Sequence, residues 1–207
     1  MYFDHDVVVR MITDLQCTRI MKVSGAKQRT SELVRDAVEL KSVLAQYPQI
    51  RYEPLDYHYV LLKYLAAFNV SVLADLCSGA YSWRGIVIAG WLASLRPSNV
   101  YIDHLSSVSA TTYPHNFWLI RLAIAEANQE RWTEDTDLQD LVVQLRTCLA
   151  AISHPSFSLR RAPSPEELGR MAEEHEAIKR DYQAGAQLQR SLLLRQTRLK
   201  GQSRNDL

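Results

Sequence analysis

Histidines beside carboxylates are the residues of this 207-residue chain with the clearest potential for chemistry. Three of the six histidines stand one or two positions from an aspartate, in Asp4-His5-Asp6, Asp56-Tyr57-His58 and Asp103-His104. An imidazole oriented by a carboxylate can ligate a metal ion or act as a general base. Two ligands on one helical face require a spacing of three or four residues, and no His-x3-His, Glu-x-x-His or Cys-x-x-Cys pattern occurs. We therefore predict no metal ligand and no cofactor-binding residue, and name His104, Asp103 and His115 as the alternative loop site.

Sequence signatures of other reactions are also missing. No serine stands in a Gly-x-Ser-x-Gly elbow, and no glycine-rich phosphate loop occurs among the seven glycines. Paired carboxylates occur at Glu166-Glu167 and Glu173-Glu174, where they favour helix capping and solubility. We predict no catalytic residue and no enzymatic activity, with an enzyme built on the loop histidines as the third-ranked alternative.

The elements that must position these residues are helical, because apolar residues recur every three or four positions from Asp6 to Ile152. Few glycines and prolines are available to build the turns of a many-stranded sheet. We predict an all-α fold, with helices over 6–23, 57–68, 72–77, 83–95 and 115–128 and a further short helix after Asn99. A second N-terminal helix is capped by Thr30 or Ser31 and stopped by Pro48, and the last helix of the domain begins at Thr136 or Asp137 and is ended by His154-Pro155.

Two consecutive stretches share one plan: a short apolar segment, a polar turn, and a longer segment led by aromatic residues. They are LADLCSGAYSWRGIVIAGWLASLRP and IDHLSSVSATTYPHNFWLIRLAIAEAN. Both resemble HEAT-type helical repeats, and the resemblance covers residues 55–152, with a looser likeness over 1–47. It implies stacked antiparallel helical hairpins, in a right-handed superhelix or an irregular bundle, and a scaffold that binds other proteins. It transfers no catalytic residue.

The repeated segments also contain the residues expected to pack one hairpin on the next. Aromatic side chains should fill the space between hairpins, Arg84 should reach Asp103 or Asp75, and small residues should let a neighbouring helix approach closely. The alternative is that the aromatic residues line a groove for a peptide. The predicted packing residues are Trp83, Arg84, Gly85, Gly90, Trp91, Phe117 and Trp118.

The C-terminal segment has a different pattern, typical of a long solvated helix. Ser164-Pro165-Glu166-Glu167 is a strong helix start, and an apolar seam then recurs at alternating steps of three and four residues. The predicted partner-binding residues are Leu168, Met171, Ile178, Tyr182, Leu188 and Leu192. The cations that follow give a weaker alternative, a nucleic-acid contact through Arg190, Arg195, Arg198 and Lys200.

Whole-chain properties limit the remaining choices. The formal net charge of +1 gives no global attraction to phosphates, and the three cysteines are odd in number and widely spaced, as in a reducing compartment. The first residues lack a basic region, and no apolar run is long enough to span a bilayer, so we expect a cytoplasmic protein. We predict a helical domain over 1–152, a linker over 153–165, a long helix over 166–201 and a disordered end over 202–207.

These observations together predict a non-enzymatic protein-interaction module, of the adaptor, chaperone or inhibitor (immunity) type, that presents a helical surface and an amphipathic C-terminal helix. Its partner would be another protein or its own copy, bound through the C-terminal helix. The alternative function is a helical nucleic-acid-binding or regulatory protein that uses the basic end of the tail.

Overall fold

The chain folds into two compact units made of α-helices. The computed structural model describes residues 1–47, 49–50 and 55–202, and for residues 191, 192 and 194–202 it describes the backbone alone. The first unit is Met1–Ala162 and the second is Pro163–Leu207. Over the described ranges, extended pairing is limited to one antiparallel bridge between Phe3 and Arg161. The all-α prediction is confirmed.

The described residues contain ten α-helices and two short 3-10 turns. The turns are Cys17–Arg19 and Asn99–Tyr101. The helices are α1 (His5–Asp14), α2 (Val23–Glu39), α3 (Lys41–Ala45), α4 (Asp56–Ala67), α5 (Val70–Cys77), α6 (Ser82–Leu95), α7 (Ile102–Ser106), α8 (Phe117–Asn128), α9 (Thr136–Ala150) and α10 (Pro165–Gln202).

The N-terminal helices differ from the prediction of one helix over 6–23. Helix α1 ends at Asp14, Gln16 takes a left-handed φ of 50°, and α2 begins at Val23. Leu15, Cys17 and Ile20 are buried in the reversal, so apolar residues keep a helix-like spacing through a segment that is not one helix. The spacing of apolar residues shows which positions are buried, but a compact chain reversal can bury the same positions as a continuous helix.

The two similar segments form two hairpins that lie side by side. Helices α5 and α6 make the first hairpin, and α7 and α8 make the second. The short helices pack on each other, α5 against α7, and the long helices do the same, α6 against α8. Helix α9 packs against both α2 and α6, so it joins the N-terminal helices to the hairpins. Every residue of α6 from Gly85 to Leu95 is buried.

Two glycines of α6 lie where neighbouring backbone comes close. A Cβ added at Gly90 would lie 2.8 Å from Leu119 Cγ and 3.1 Å from the Leu119 backbone of α8. A Cβ at Gly85 would lie 2.5 Å from the carbonyl oxygen of Leu76 in α5. Packing therefore requires glycine at both positions. This agrees with the prediction that small residues here let a neighbouring helix approach closely.

The first unit ends ten residues beyond the predicted end of the helical domain at residue 152. Leu159 is buried, and Phe157 meets the Tyr64 ring edge-on with centroids 5.4 Å apart. The backbone of the same segment pairs with the first residues, because Asp4 N donates to Arg160 O at 2.9 Å and Ala162 N donates to Tyr2 O at 3.2 Å. Residues 153–162 of the predicted linker thus pack within the first unit.

In the described part of the chain, no single helix combines the length and the hydropathy that crossing a bilayer requires. Helices α4 and α5 reach both together, but they meet at a bend of 104°.

Candidate functional site

Helix α10 begins with a reciprocal pair of side-chain caps. Ser164 Oγ accepts a hydrogen bond from Glu167 N at 3.2 Å, and the Glu167 carboxylate accepts one from Ser164 N at 2.7 Å. Pro165 is the first helical residue, where its missing N–H leaves no donor unsatisfied. This capping box sets the start of a 38-residue helix and therefore the rotational position of every residue along it.

The apolar seam of α10 is exposed. The exposed fractions are 52% for Leu168, 58% for Met171, 67% for Ile178 and 79% for Tyr182. Steps of three and four residues place these side chains along one face of the helix, as in one strand of a coiled coil. We call this face the seam. Of the other two predicted partner-binding residues, Leu188 is 63% exposed, and the side chain of Leu192 lies outside the described residues.

Charge along α10 divides at the middle of the helix. Residues 165–183 contain six acidic and three basic side chains, whereas residues 184–202 contain four basic and no acidic ones. In the acidic half, Lys179 Nζ lies 3.4 Å from Glu176 Oε1, an exposed pair that contributes little to stability. The helix thus presents an apolar face whose two ends have opposite charge. The cations of the alternative nucleic-acid contact all lie in the basic half, and Arg190 is the one whose side chain is described.

The aromatic residues of the hairpins divide between core and surface. Trp91 is fully buried, and Trp118 is nearly so, with its Nε1 donating to Met21 O at 3.4 Å. Trp83 and Phe117 are partly buried against the core. The arginine next to Trp83 behaves differently from the prediction.

Arg84 does not pair with either predicted aspartate. Its guanidinium lies 4.6 Å from the centre of the Trp83 ring, a cation–π contact at the surface. The carboxylate of Asp75 is buried and accepts hydrogen bonds from the backbone N–H groups of Tyr2 and Phe3 at 2.8 and 2.9 Å. The predicted ion pair of Arg84 with Asp75 or Asp103 is therefore wrong, and for Asp75 the reason is that the N-terminal backbone occupies its carboxylate.

A cleft of about 520 Å³ opens beside Trp83 in the first unit. It lies where the N-terminal ends of α2, α6 and α8 approach one another, and no described side chain caps any of these three ends. Its lining is mainly apolar and includes three titratable side chains, those of Lys22, Tyr113 and His115. The lining residues are Met21, Lys22, Ser82, Trp83, Thr112, Tyr113, Pro114, His115 and Asn116. The cleft lies beside Trp83, one of the aromatic residues for which a peptide-binding groove is the alternative role.

The histidines lie apart from one another, and His5 and His58 each contact the surrounding fold. In the described part of the chain, no three His, Cys, Asp or Glu side chains are arranged to hold a metal ion. His5 stacks on Tyr81 with ring centres 5.2 Å apart. His58 is fully buried in α4, and its Nε2 donates to the carbonyl oxygen of Leu33 at 3.0 Å. Burial lowers the pKa of His58, because the charged imidazolium would lose its hydration.

A buried polar network between α8 and α9 is not predicted by any pattern in the sequence. Glu126 is buried and accepts hydrogen bonds from Gln139 Nε2 at 2.7 Å and from Arg146 at 2.6 Å. Gln139 also accepts from Trp132 N at 2.8 Å, so it joins the loop before α9 to both helices. Glu126, Gln139 and Arg146 line a pocket of about 820 Å³, and their hydrogen bonds satisfy one another. The one sign of this network in the sequence is Glu126, a single acid in the apolar run of α8. The residue by itself does not indicate which groups it binds.

Comparison with known proteins gives no relative for this chain. No protein-family model matches it, and neither the curated proteins nor the solved structures include a match.

Proposed function

We propose that this chain is a non-enzymatic protein-interaction module, and that the seam of α10 is its principal binding surface. The observation that carries the proposal is the exposure of Leu168, Met171, Ile178 and Tyr182, each more than half accessible on one face of a capped helix. Covering apolar surface of this kind with a partner helix removes it from water and so stabilises the complex. The module is of the adaptor, chaperone or inhibitor type, with HEAT-like stacked hairpins as its folded body.

A cytoplasmic location fits the chemistry of the cysteines. Cys17 is a buried free thiol whose pKa is raised by burial, and burial raises the pKa of Cys77 to about 12. Both groups therefore remain protonated and unreactive at neutral pH. Unpaired thiols of this kind are typical of proteins in a reducing compartment.

The seam can be tested by placing a photo-cross-linking amino acid at Tyr182 of the full chain in its native host. We expect a protein adduct that mass spectrometry identifies and that disappears when Ile178→Asp is added, because a carboxylate at the centre of an apolar contact must be desolvated. The identified protein, purified, should bind the full chain at least about 30-fold more weakly after Ile178→Asp.

Two results would overturn the proposed function. The matched control places the cross-linker at Arg180, on the opposite face of α10, and an adduct there equal to the Tyr182 adduct contradicts a specific seam. An adduct that consists of nucleic acid, with binding of generic DNA or RNA that falls steeply with salt, favours the basic residues of the alternative function.

A further inference from the structure

From the charge and register of α10 we infer that the seam binds the seam of a second copy, with the two helices antiparallel. The inference rests on the proposed function and names its partner. It requires that α10 be complementary to itself when reversed, and three features of the helix meet that requirement.

The first feature is the division of charge. Residues 165–183 have a net charge of −3, and residues 184–202 have a net charge of +4. Two antiparallel helices place the acidic half of each beside the basic half of the other, whereas two parallel helices place acid beside acid and base beside base. Attraction between opposite charges close to an apolar contact fixes the orientation of a helix pair.

The second feature is the size of the residues along the seam. The spacing that starts at Leu168 and Met171 continues through Gly185, Gln189, Leu192, Gln196 and Leu199. With the two helices fully overlapped and antiparallel, the position of Tyr182 lies level with that of Gly185 in the second copy, and Leu168 lies level with Leu199. A large residue then meets a small one at the centre, where a parallel pair would place tyrosine opposite tyrosine and glycine opposite glycine.

The third feature is the pair of charged positions that border the seam. Glu174 and Arg195 are both one residue before a seam position, so they lie on the same edge of the helix. Antiparallel helices place Glu174 beside Arg195 of the second copy, twice in a symmetric dimer. Parallel helices instead place Arg195 beside Lys200 of the second copy, which is repulsive, and Glu174 beside Lys179.

Charge reversal of the full chain distinguishes the two orientations. We expect Glu174→Arg and Arg195→Glu each to weaken the dimer about tenfold, and the double variant to return the dissociation constant to within about threefold of the original, because the pair is restored with its charges exchanged. Sedimentation equilibrium at low salt measures the constants. Glu173→Arg and Arg180→Glu, on the face opposite the seam, are the matched controls and should leave them unchanged.

Each contrary result has its own meaning. A tighter dimer for Arg195→Glu shows the parallel orientation and overturns the inference, since the substitution would relieve the repulsion with Lys200. A full chain that remains monomeric at about 100 μM overturns self-pairing, while the cross-link at Tyr182 to a different protein would still support the proposed function. A dimer that is unaffected by Ile178→Asp also overturns the inference, because the two copies then pair through another surface.

Discussion

At the scale of single residues, His58 is the group whose chemistry the fold changes most. It lies in α4 with one ring nitrogen donating to Leu33 O, and its Nδ1 has no partner among the described residues. Burial is the largest influence on the pKa of the ring and lowers it. The hydrogen bond to Leu33 O and the charge of Asp36 raise this pKa, and the charge of Arg29 lowers it further. The folded state therefore favours the neutral imidazole of His58, and protonation of this ring destabilises the fold.

This arrangement predicts a pH-dependent stability. Because the pKa of His58 is lower in the folded chain than its unfolded value of about 6.5, the unfolded state takes up the proton first, and the free energy of unfolding falls as pH decreases below about 6.5. The loss should reach up to about 1.4 kcal/mol per pH unit until the folded pKa is reached. Urea unfolding at several pH values measures it.

The matched variants are His58→Gln, which keeps a donor for Leu33 O, and His154→Gln at an exposed position. We expect the first to flatten the pH dependence and the second to leave it as it was. If His58→Gln and the original chain lost stability equally on acidification, the buried imidazole would not be the titrating group.

At the scale of the elements, the contact between α6 and α8 depends on a residue with no side chain. Gly90→Ala places a Cβ against both the side chain and the backbone of Leu119, and backbone cannot move aside cheaply. We expect a net loss of about 1–3 kcal/mol in the free energy of unfolding, in spite of the gain in helix propensity. All four tryptophans lie in the first unit, so their fluorescence in urea follows its unfolding.

Gly169→Ala is the matched control, in which the same substitution should have the opposite effect. No described atom lies within 4 Å of a Cβ at that position, and alanine favours the helix by about 1 kcal/mol over glycine. The far-ultraviolet signal of α10 should persist to higher temperature. Equal effects of the two substitutions on tryptophan unfolding would refute the packing explanation for Gly90.

At the scale of the whole molecule, the boundary between the two units decides which fragment folds. The helical domain was predicted to end at 152, but Phe157, Leu159 and the backbone of residues 160–162 pack within the first unit. The first unit therefore includes a final extended segment that closes against the N-terminal residues.

Two truncations test this boundary. A fragment of residues 1–162 should keep the melting temperature of the full chain to within a few degrees, because no part of the first unit is removed. A fragment of residues 1–152 loses the burial of Leu159 and Phe157 and should be less stable by about 2–4 kcal/mol. Calorimetry of the two fragments compares them directly. A fragment 1–152 as stable as 1–162 would restore the earlier boundary.

The helices from α4 onward were largely predictable from the chain itself. Their apolar spacing and end signals, such as Asn69 before α5 and Ser164 before α10, depend on neighbours a few residues away. The N-terminal helices were less predictable, because the reversal at Gln16 buries residues at the same spacing as a helix. The charge division and seam of α10 were also visible in the sequence, since both are properties of one helix.

Local spacing along the chain is enough to predict that it is helical, where most of its helices lie, and which apolar residues share one face of α10. Three contacts become visible only in the folded chain: Asp75 binds the backbone of Tyr2 and Phe3, Gln139 joins Glu126 to the loop at Trp132, and residues 153–162 pack within the first unit. Each of these depends on groups far apart in the chain, and a buried polar group takes whichever partner the completed packing brings within hydrogen-bond distance.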